Sequence, residues 1–278
     1  MINNNRTSLK QLEVKIPEDA DFDKLKRLCD DCSQWDLVYN KKSIRVWTRP
    51  CKETDFKMIK VRSEFHDVPG SVVYDVLHDP DYRPVWDKYM VESKDIGILN
   101  PNNDLCYYAV RAPPPFKQRD FVLQRSWLDT GSELMIFNHS VCHDDFPPRK
   151  GYIRAISFFT GYLIRTLSSH SCQISYVTYS DPRGHLPSWL VNKITQIFSP
   201  KSMKRLHKAC LDYRAWKRQN RSHWRPWTCP DQLADAKRVN LANCQPRVYA
   251  DAEDVDESLL GESDMKENAD FDMDNGEA

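Results

Sequence analysis

Hydrophobic and polar positions along this chain repeat with two periods, and the switches between them mark its elements. From Asp19 to Asp31, Phe22, Leu25 and Leu28 fall at helical spacing with acids near the start, which predicts an amphipathic helix. Period two follows. Trp35, Leu37 and Tyr39 alternate with Asp36 and Val38, and Ile44, Val46 and Thr48 alternate with Arg45, Trp47 and Arg49. Met58 to His66 is the clearest strand, with Ile59, Val61, Ser63 and Phe65 on one face and Lys60, Arg62, Glu64 and His66 on the other. Short turns such as Asn40-Lys41-Lys42 make these three an antiparallel meander.

Pro69 opens a second helix that runs to about His78, and Pro80 ends it. A turn over Asp81 to Lys88 leads back into strands over 91–99, 104–110, 120–128, 133–141, 152–159 and 171–179. The cluster Pro113-Pro114-Pro115 cannot donate ladder hydrogen bonds and must be a connection or an edge. A last helical stretch starts at Pro187 and carries Leu190, Ile194, Ile197 and Phe198 on one face. Ser199-Pro200 reads as an interruption, a new N-cap followed by proline, before Met203, Leu206, Cys210 and Tyr213 resume the stripe. Beyond Pro230 the periodicity fades. The pattern gives an α+β fold, a curved antiparallel sheet closed by a long C-terminal helix. Residues 1–18 read as an extension, 19–229 as the domain and 230–278 as a disordered acidic tail.

Charge changes the picture because it is unevenly placed. The chain has 40 Lys+Arg and 40 Asp+Glu, yet Asp251 to Ala278 holds twelve acids and one base, which leaves −11 on the tail and +11 on the rest. From Lys193 to Arg225 there are ten bases and one acid, Asp212. No run of about 18 apolar residues predicts a membrane span, and Met1 to Lys10 lacks the apolar centre of a signal peptide, so a cytosolic location is expected. The eight glycines are never closer than ten positions, which excludes the Gly-rich loops that cradle nucleotide phosphates. Nine scattered cysteines fit free thiols. Cys29-x-x-Cys32 has no second ligand pair, and His139, Cys142 and His143 have no fourth partner and read as loop and surface residues. No metal or cofactor is expected.

The segment Val68–Met90, VPGSVVYDVLHDPDYRPVWDKYM, resembles the START lipid-transfer domain family, on its stretch from Asp79 to Asp87 above all. Lys117-Gln118-Arg119-Asp120-Phe121, Pro147-Pro148-Arg149-Lys150, Leu186 to Lys193, Tyr162-Leu163-Ile164 and Lys208 to Tyr213 are also similar to it. The likeness spans about Asp19 to Trp227 and is strongest to the phosphatidylcholine-transfer subgroup. It implies a helix-grip fold enclosing one phospholipid, with the last helix as lid.

On that resemblance Arg83 is expected to hold the lipid phosphate with Asp87, four residues on, as its internal partner; a guanidinium suits a phosphodiester. Tyr108, Phe121 and Phe158 fall at the family's aromatic choline-cage positions. Two lack a hydroxyl and one is Tyr where the cage has Trp, which leaves room for phosphatidylethanolamine beside phosphatidylcholine. Two acyl chains of about 30 methylenes cost roughly 24 kcal/mol to expose to water, so exchange must occur on a membrane. Trp189, Leu190, Lys193, Phe198, Lys201, Lys204 and Arg205 form the expected docking helix. Ser258 and Ser263, set among acids, are candidate phosphorylation sites in a tail that screens this basic surface. The expected protein is a monomeric, non-enzymatic phospholipid carrier with transient membrane contact; the resemblance adds a cilium or flagellum as a location. A lipid sensor or adaptor is the alternative. A helix-grip enzyme would need a convergent acid and base, and His66, His78 and His185 have no spaced partner. Nucleic acid is not expected, because the basic helix has no interleaved stacking platform.

Overall fold

The computed structural model describes residues 12–51, 56–247 and 256–265. Ten strands build one sheet: β1 (Asp36–Lys41), β2 (Ile44–Arg49), β3 (Met58–Phe65), β4 (Met90–Asn100), β5 (Asn103–Val110), β6 (Gln118–Asp129), β7 (Glu133–Ser140), β8 (Tyr152–Arg154), β9 (Ile156–Ser168) and β10 (Ser171–Asp181). Their spatial order is β1-β2-β3-β10-β9-β7-β6-β5-β4, antiparallel throughout, with β8 alone pairing in parallel beside β6. Bulges in β1, in β4 and near the ends of the β9–β10 pair bend the strands. The helices are α1 (Asp19–Asp30), α2 (Gly70–His78), α3 (Arg83–Trp86), α4 (Ser188–Lys193) and α5 (Ser199–Gln219), the last two joined by a π-helical turn at Ile194–Phe198.

Strand alternation splits the core between the two sheet faces. Val46, Val61, Ile136, Ile164 and Ile174 face inward onto α2 and α5. Their neighbours Trp47, Met135, Phe137, Leu163 and Val177 face outward, where Phe22, Leu25 and Cys29 of α1 cover them. The approach of α1 is close: a Cβ at Gly161 would lie 2.8 Å from Leu25 Cδ1. On the other half of the outer face, Val14, Val239 and Cys244 pack on Ile96, Leu105, Tyr107 and Val122. Ile98 N–H donates to Lys237 O at 2.8 Å and Val239 N–H to Ile98 O at 3.1 Å, so this late segment runs along β4. A Cβ at Gly97 would meet Lys237 O at 2.8 Å.

Several expectations need correcting. Residues 12–18 and 230–247 were expected outside the domain and instead pack against it. The segment 152–159 is not one strand: Arg154 pairs with Asp120 and Ala155 N–H donates to Asp120 O, which holds β8 to β6 before β9 starts afresh and runs on to Ser168. Ser199 is no N-cap. Its hydroxyl donates back to Ile194 O at 2.8 Å and Phe198 before it is still helical, so the chain passes Pro200 through a π turn without a break. Lys60, on the polar face of the predicted strand, is fully buried: its Nζ donates to Asp31 O at the end of α1 and lies over Trp35, while Arg62 donates to Cys29 O. These cations serve the carbonyls that the helix end leaves unpaired. Cys142 and His143, read as surface residues, are buried, and burial lowers the pKa of His143 and of His139. Cys29 is buried with its thiol pushed up to about 12, while Cys32 is exposed.

Candidate functional site

A cavity of about 570 Å³ lies between the inner sheet face and the run from α4 to α5. Arg83 reaches it because of how α2 ends. Asp79 closes the helix, Pro80 forbids its continuation, and the chain re-enters one helical turn at Arg83. Asp79 Oδ1 accepts from the N–H groups of Asp81 and Tyr82; Oδ2 accepts from Tyr213 at 2.8 Å and Lys217 at 2.7 Å. Tyr82, buried, donates to Ala209 O. Half of the stretch Asp79–Asp87 is therefore a staple between α2 and α5.

The other half faces the cavity. Among the described residues Arg83 makes only long contacts, at 3.4 Å to Asp87 Oδ2 and 3.4 Å to Leu77 O, with its guanidinium 5.0 Å from the Trp86 ring and 5.9 Å from Tyr108. Asp87 is held by Tyr108, whose hydroxyl donates to Oδ2 at 2.6 Å, and by Tyr89 N–H at 3.2 Å. Burial, reinforced by the Asp87 carboxylate, pushes the Tyr108 hydroxyl well above the ordinary phenol range, so it stays a donor. A guanidinium whose donors reach only 3.4 Å partners has hydrogen-bonding capacity left for an anion.

Of the three expected cage aromatics, Tyr108 and Phe121 line the cavity and Phe158 does not. Phe158 packs on Tyr179, with ring centroids 4.6 Å apart and planes tilted by 33°. The bulge in the β9–β10 pair is the cause. It pairs Phe159 with Tyr179 and Ser157 with Ser180, so the inward phase passes from Thr160 to Ser157 and skips Phe158. Tyr162 and Tyr176 stand in the cavity instead, 4.8 Å apart and directly opposite across the strands. Counting by two from Ile164 would have found Tyr162; ending the strand at Phe159 hid it.

Sequence reading also missed two polar groups. Thr160 and Thr178 share a hydrogen bond of 2.8 Å, Ser157 adds one to Thr160 at 3.0 Å and another to Asn138 at 3.2 Å, and Ser180 joins Thr178 at 3.0 Å. At another part of the wall, Arg125 grips Asp104 with Nε at 2.9 Å and Nη2 at 2.5 Å, beside Asp95, whose carboxyl pKa burial raises. His78 also borders the cavity, its ring 5.5 Å from Trp227 and 5.0 Å from Trp127. Burial lowers its pKa well below the usual imidazole value.

The expected docking set divides. Leu190 and Phe198 line the cavity, and Trp189 leans on Phe116 and donates its indole N–H to Leu260 O. Lys193 meets Glu262 at 2.8 Å, and Arg205 donates to the Tyr89 hydroxyl at 2.5 Å. Lys204 is exposed and Lys201 half-buried. Lys217, counted with the basic stretch, points inward to Asp79. Leu190 and Phe198 therefore close the cavity rather than face outward. Ser258 and Ser263 are both exposed. Among the described residues no group of His, Cys, Asp and Glu is placed to hold a metal, and no helix is long and apolar enough to cross a membrane.

A family model described as the START domain matches residues 15–217. The START domain-containing protein 10 of Mus musculus is 40% identical over 260 residues, spanning 93% of this chain and 89% of that protein. The human phosphatidylcholine transfer protein is 25% identical over 186 residues, spanning 65% of this chain and 86% of that protein. Among solved structures, the crystal structure of human STARD10 superposes with a TM-score of 0.80 at 40% identity, covering 86% of this chain and 98% of that one.

Proposed function

The chain belongs to the START domain family, and from that premise we propose that its cavity carries one phospholipid with the phosphate on Arg83. It is a phospholipid-binding and transfer protein. The observation that carries the assignment of the phosphate is the under-satisfied guanidinium: Arg83 lines the cavity with donors at 3.4 Å from its partners among the described residues, and Asp87 is held by Tyr108. A phosphodiester would complete those bonds. The headgroup nitrogen then falls among Tyr108, Phe121 and Tyr162, whose faces attract a quaternary ammonium. One relative is named for transferring phosphatidylcholine, and that is the first ligand to test here. Phosphatidylethanolamine is the second, since its three N–H donors suit the hydroxyls of Thr160 and Thr178 nearby.

Transfer in this reading needs a membrane. With Leu190 and Phe198 turned into the cavity, α4 and the π turn must lift to release the lipid, and lifting exposes these side chains beside Lys193, Lys201, Lys204 and Arg205. That combination suits an anionic interface. In this reading the protein works as a monomer in the cytoplasm without catalysis; burial lowers the basicity of His78 on the cavity wall, which makes it a weak proton acceptor. No residue argues for a cilium or flagellum.

Native mass spectrometry of the purified full chain is the test. The expected result is a bound mass in the phospholipid range, lost from Arg83→Ala. Apo protein recovered from a lipid-rich host would overturn the lipid reading; equal retention by Arg83→Ala would overturn the phosphate assignment.

A further inference from the structure

Among the described residues, the acidic C-terminal segment meets the fold at the mouth of the cavity. Glu257 is buried there. Its Oε2 accepts from Arg119 Nη2 at 2.5 Å and its Oε1 from Lys117 N–H at 2.8 Å, with the two side chains only 6% and 5% exposed. Arg119 is itself a wall residue of the cavity, and its other donors go to Lys117 O, Pro182 O and Arg183 O. Thus Glu257 sits in an anion niche where the β5–β6 connection meets the β10–α4 connection. The residues that follow cross to the helix. Leu260 O accepts the Trp189 indole N–H at 2.8 Å, and Glu262 meets Lys193 Nζ at 2.8 Å. His185 and Asp256 form a strand-like bridge at the near end. Trp189 in turn leans on Phe116, just before Lys117.

We infer that residues 256–264 are a latch that holds α4 shut over the cavity, with Glu257 as its bolt in the Arg119 niche. The reason is connectivity. One end of the segment is fixed to β6 and the other to two side chains of α4, so α4 cannot leave the mouth until one set of contacts breaks. The bolt is buried, so its strength depends little on salt, unlike a diffuse attraction between an acidic tail and a basic helix. Breaking it leaves Arg119 with its carbonyl partners and exposes Lys117 N–H and the guanidinium edge at the rim. Those two donors then suit the phosphate of an anionic lipid in the membrane being docked.

This inference rests on the transfer reading, and its test separates the two. Full-length protein loaded with fluorescent phosphatidylcholine is mixed with neutral phosphatidylcholine vesicles, and the exchange rate is read at low salt and at high salt. Glu257→Ala is expected to exchange faster by about tenfold, the scale of a lost charge-assisted hydrogen bond, at both salts. Asp264→Asn, which removes equal charge from an acid that, among the described residues, accepts from Gly261 N–H in its own turn, is expected to match the parent. Hydrogen exchange of Glu257→Ala should show amides of α4 losing protection while α5 keeps its own. Parent-like exchange and α4 protection in Glu257→Ala overturn the latch while leaving transfer intact. A gain that Asp264→Asn shares, or that high salt removes, overturns it in favour of diffuse electrostatics. Failure of the parent to carry lipid at all sinks the transfer reading.

Discussion

Two ion pairs leave the same helix end within four residues and have opposite characters. Asp79 and Lys217 meet at 2.7 Å with side chains 0% and 3% exposed, and Tyr213 and two backbone N–H groups complete the carboxylate. Lys217 Nζ also lies within 6.0 Å of the rings of Trp216, Trp224 and Trp227. Arg83 and Asp87 stand at 3.4 Å, 23% and 12% exposed, with guanidinium capacity unused. The Asp79 carboxylate of the first pair has its acceptors filled, and a buried carboxylate so filled holds the structure together. The second is left incomplete on a cavity wall, and incompleteness is what a ligand can relieve. Residue type and spacing do not distinguish them; the number of partners does.

The sharpest way to break this comparison is stability. Lys217→Ala strands a buried carboxylate and is expected to cost about 3–5 kcal/mol in urea unfolding. A loss below 1 kcal/mol would mean that the two pairs are energetically alike. Arg83→Ala, measured the same way, is expected to cost no more than about 1 kcal/mol while its retained lipid falls about tenfold or more. Should Arg83→Ala instead unfold the protein, the guanidinium belongs with the structural pair.

His78, on the cavity wall between the two pairs, gives a test by pH. Its pKa is lowered in the fold and ordinary in the unfolded chain, so below about 6.5 the unfolded chain binds the proton first and stability falls with acid. The loss amounts to as much as about 1.4 kcal/mol per pH unit down to the folded pKa. His139 and His143, also lowered by burial, act in the same direction. Thermal scans between pH 7.5 and about 5.5 should slope, and His78→Phe should flatten part of the slope. The smallest effect is expected at the aromatics. Tyr162→Ala should weaken phosphatidylcholine binding by about twofold to thirtyfold, and Phe158→Ala should leave it unchanged in the same titration. The reverse order would restore Phe158 to the headgroup site.

Local patterns made most of the elements legible. The alternation over Met58 to Phe65 and the stripe Phe22, Leu25 and Leu28 depend only on which residues share a face, and the sheet and α1 formed where these predicted. The likeness of Asp79–Asp87 to a known domain singled out Arg83 before any geometry was visible. Sequence did less well where one strand's phase depends on another. Phe158 looked like a cage residue until the bulge against β10 turned it aside, and Tyr162, quoted in the resemblance, was given no place in the site because the strand end was set too early.

The acidic tail shows the same limit. Charge counting separated −11 from +11 and suggested a long-range attraction. Burial decided otherwise for one of those acids, because Glu257 finds Arg119 across 138 residues of chain. What the sequence determined by itself was period, punctuation and the supply of each residue type, since these act between neighbours along the chain. What only the tertiary structure decided was satisfaction: which arginine has spare donors, which carboxylate has its acceptors filled, and which acid bolts the mouth. Satisfaction depends on partners brought together from far apart in sequence, and no window of residues contains them.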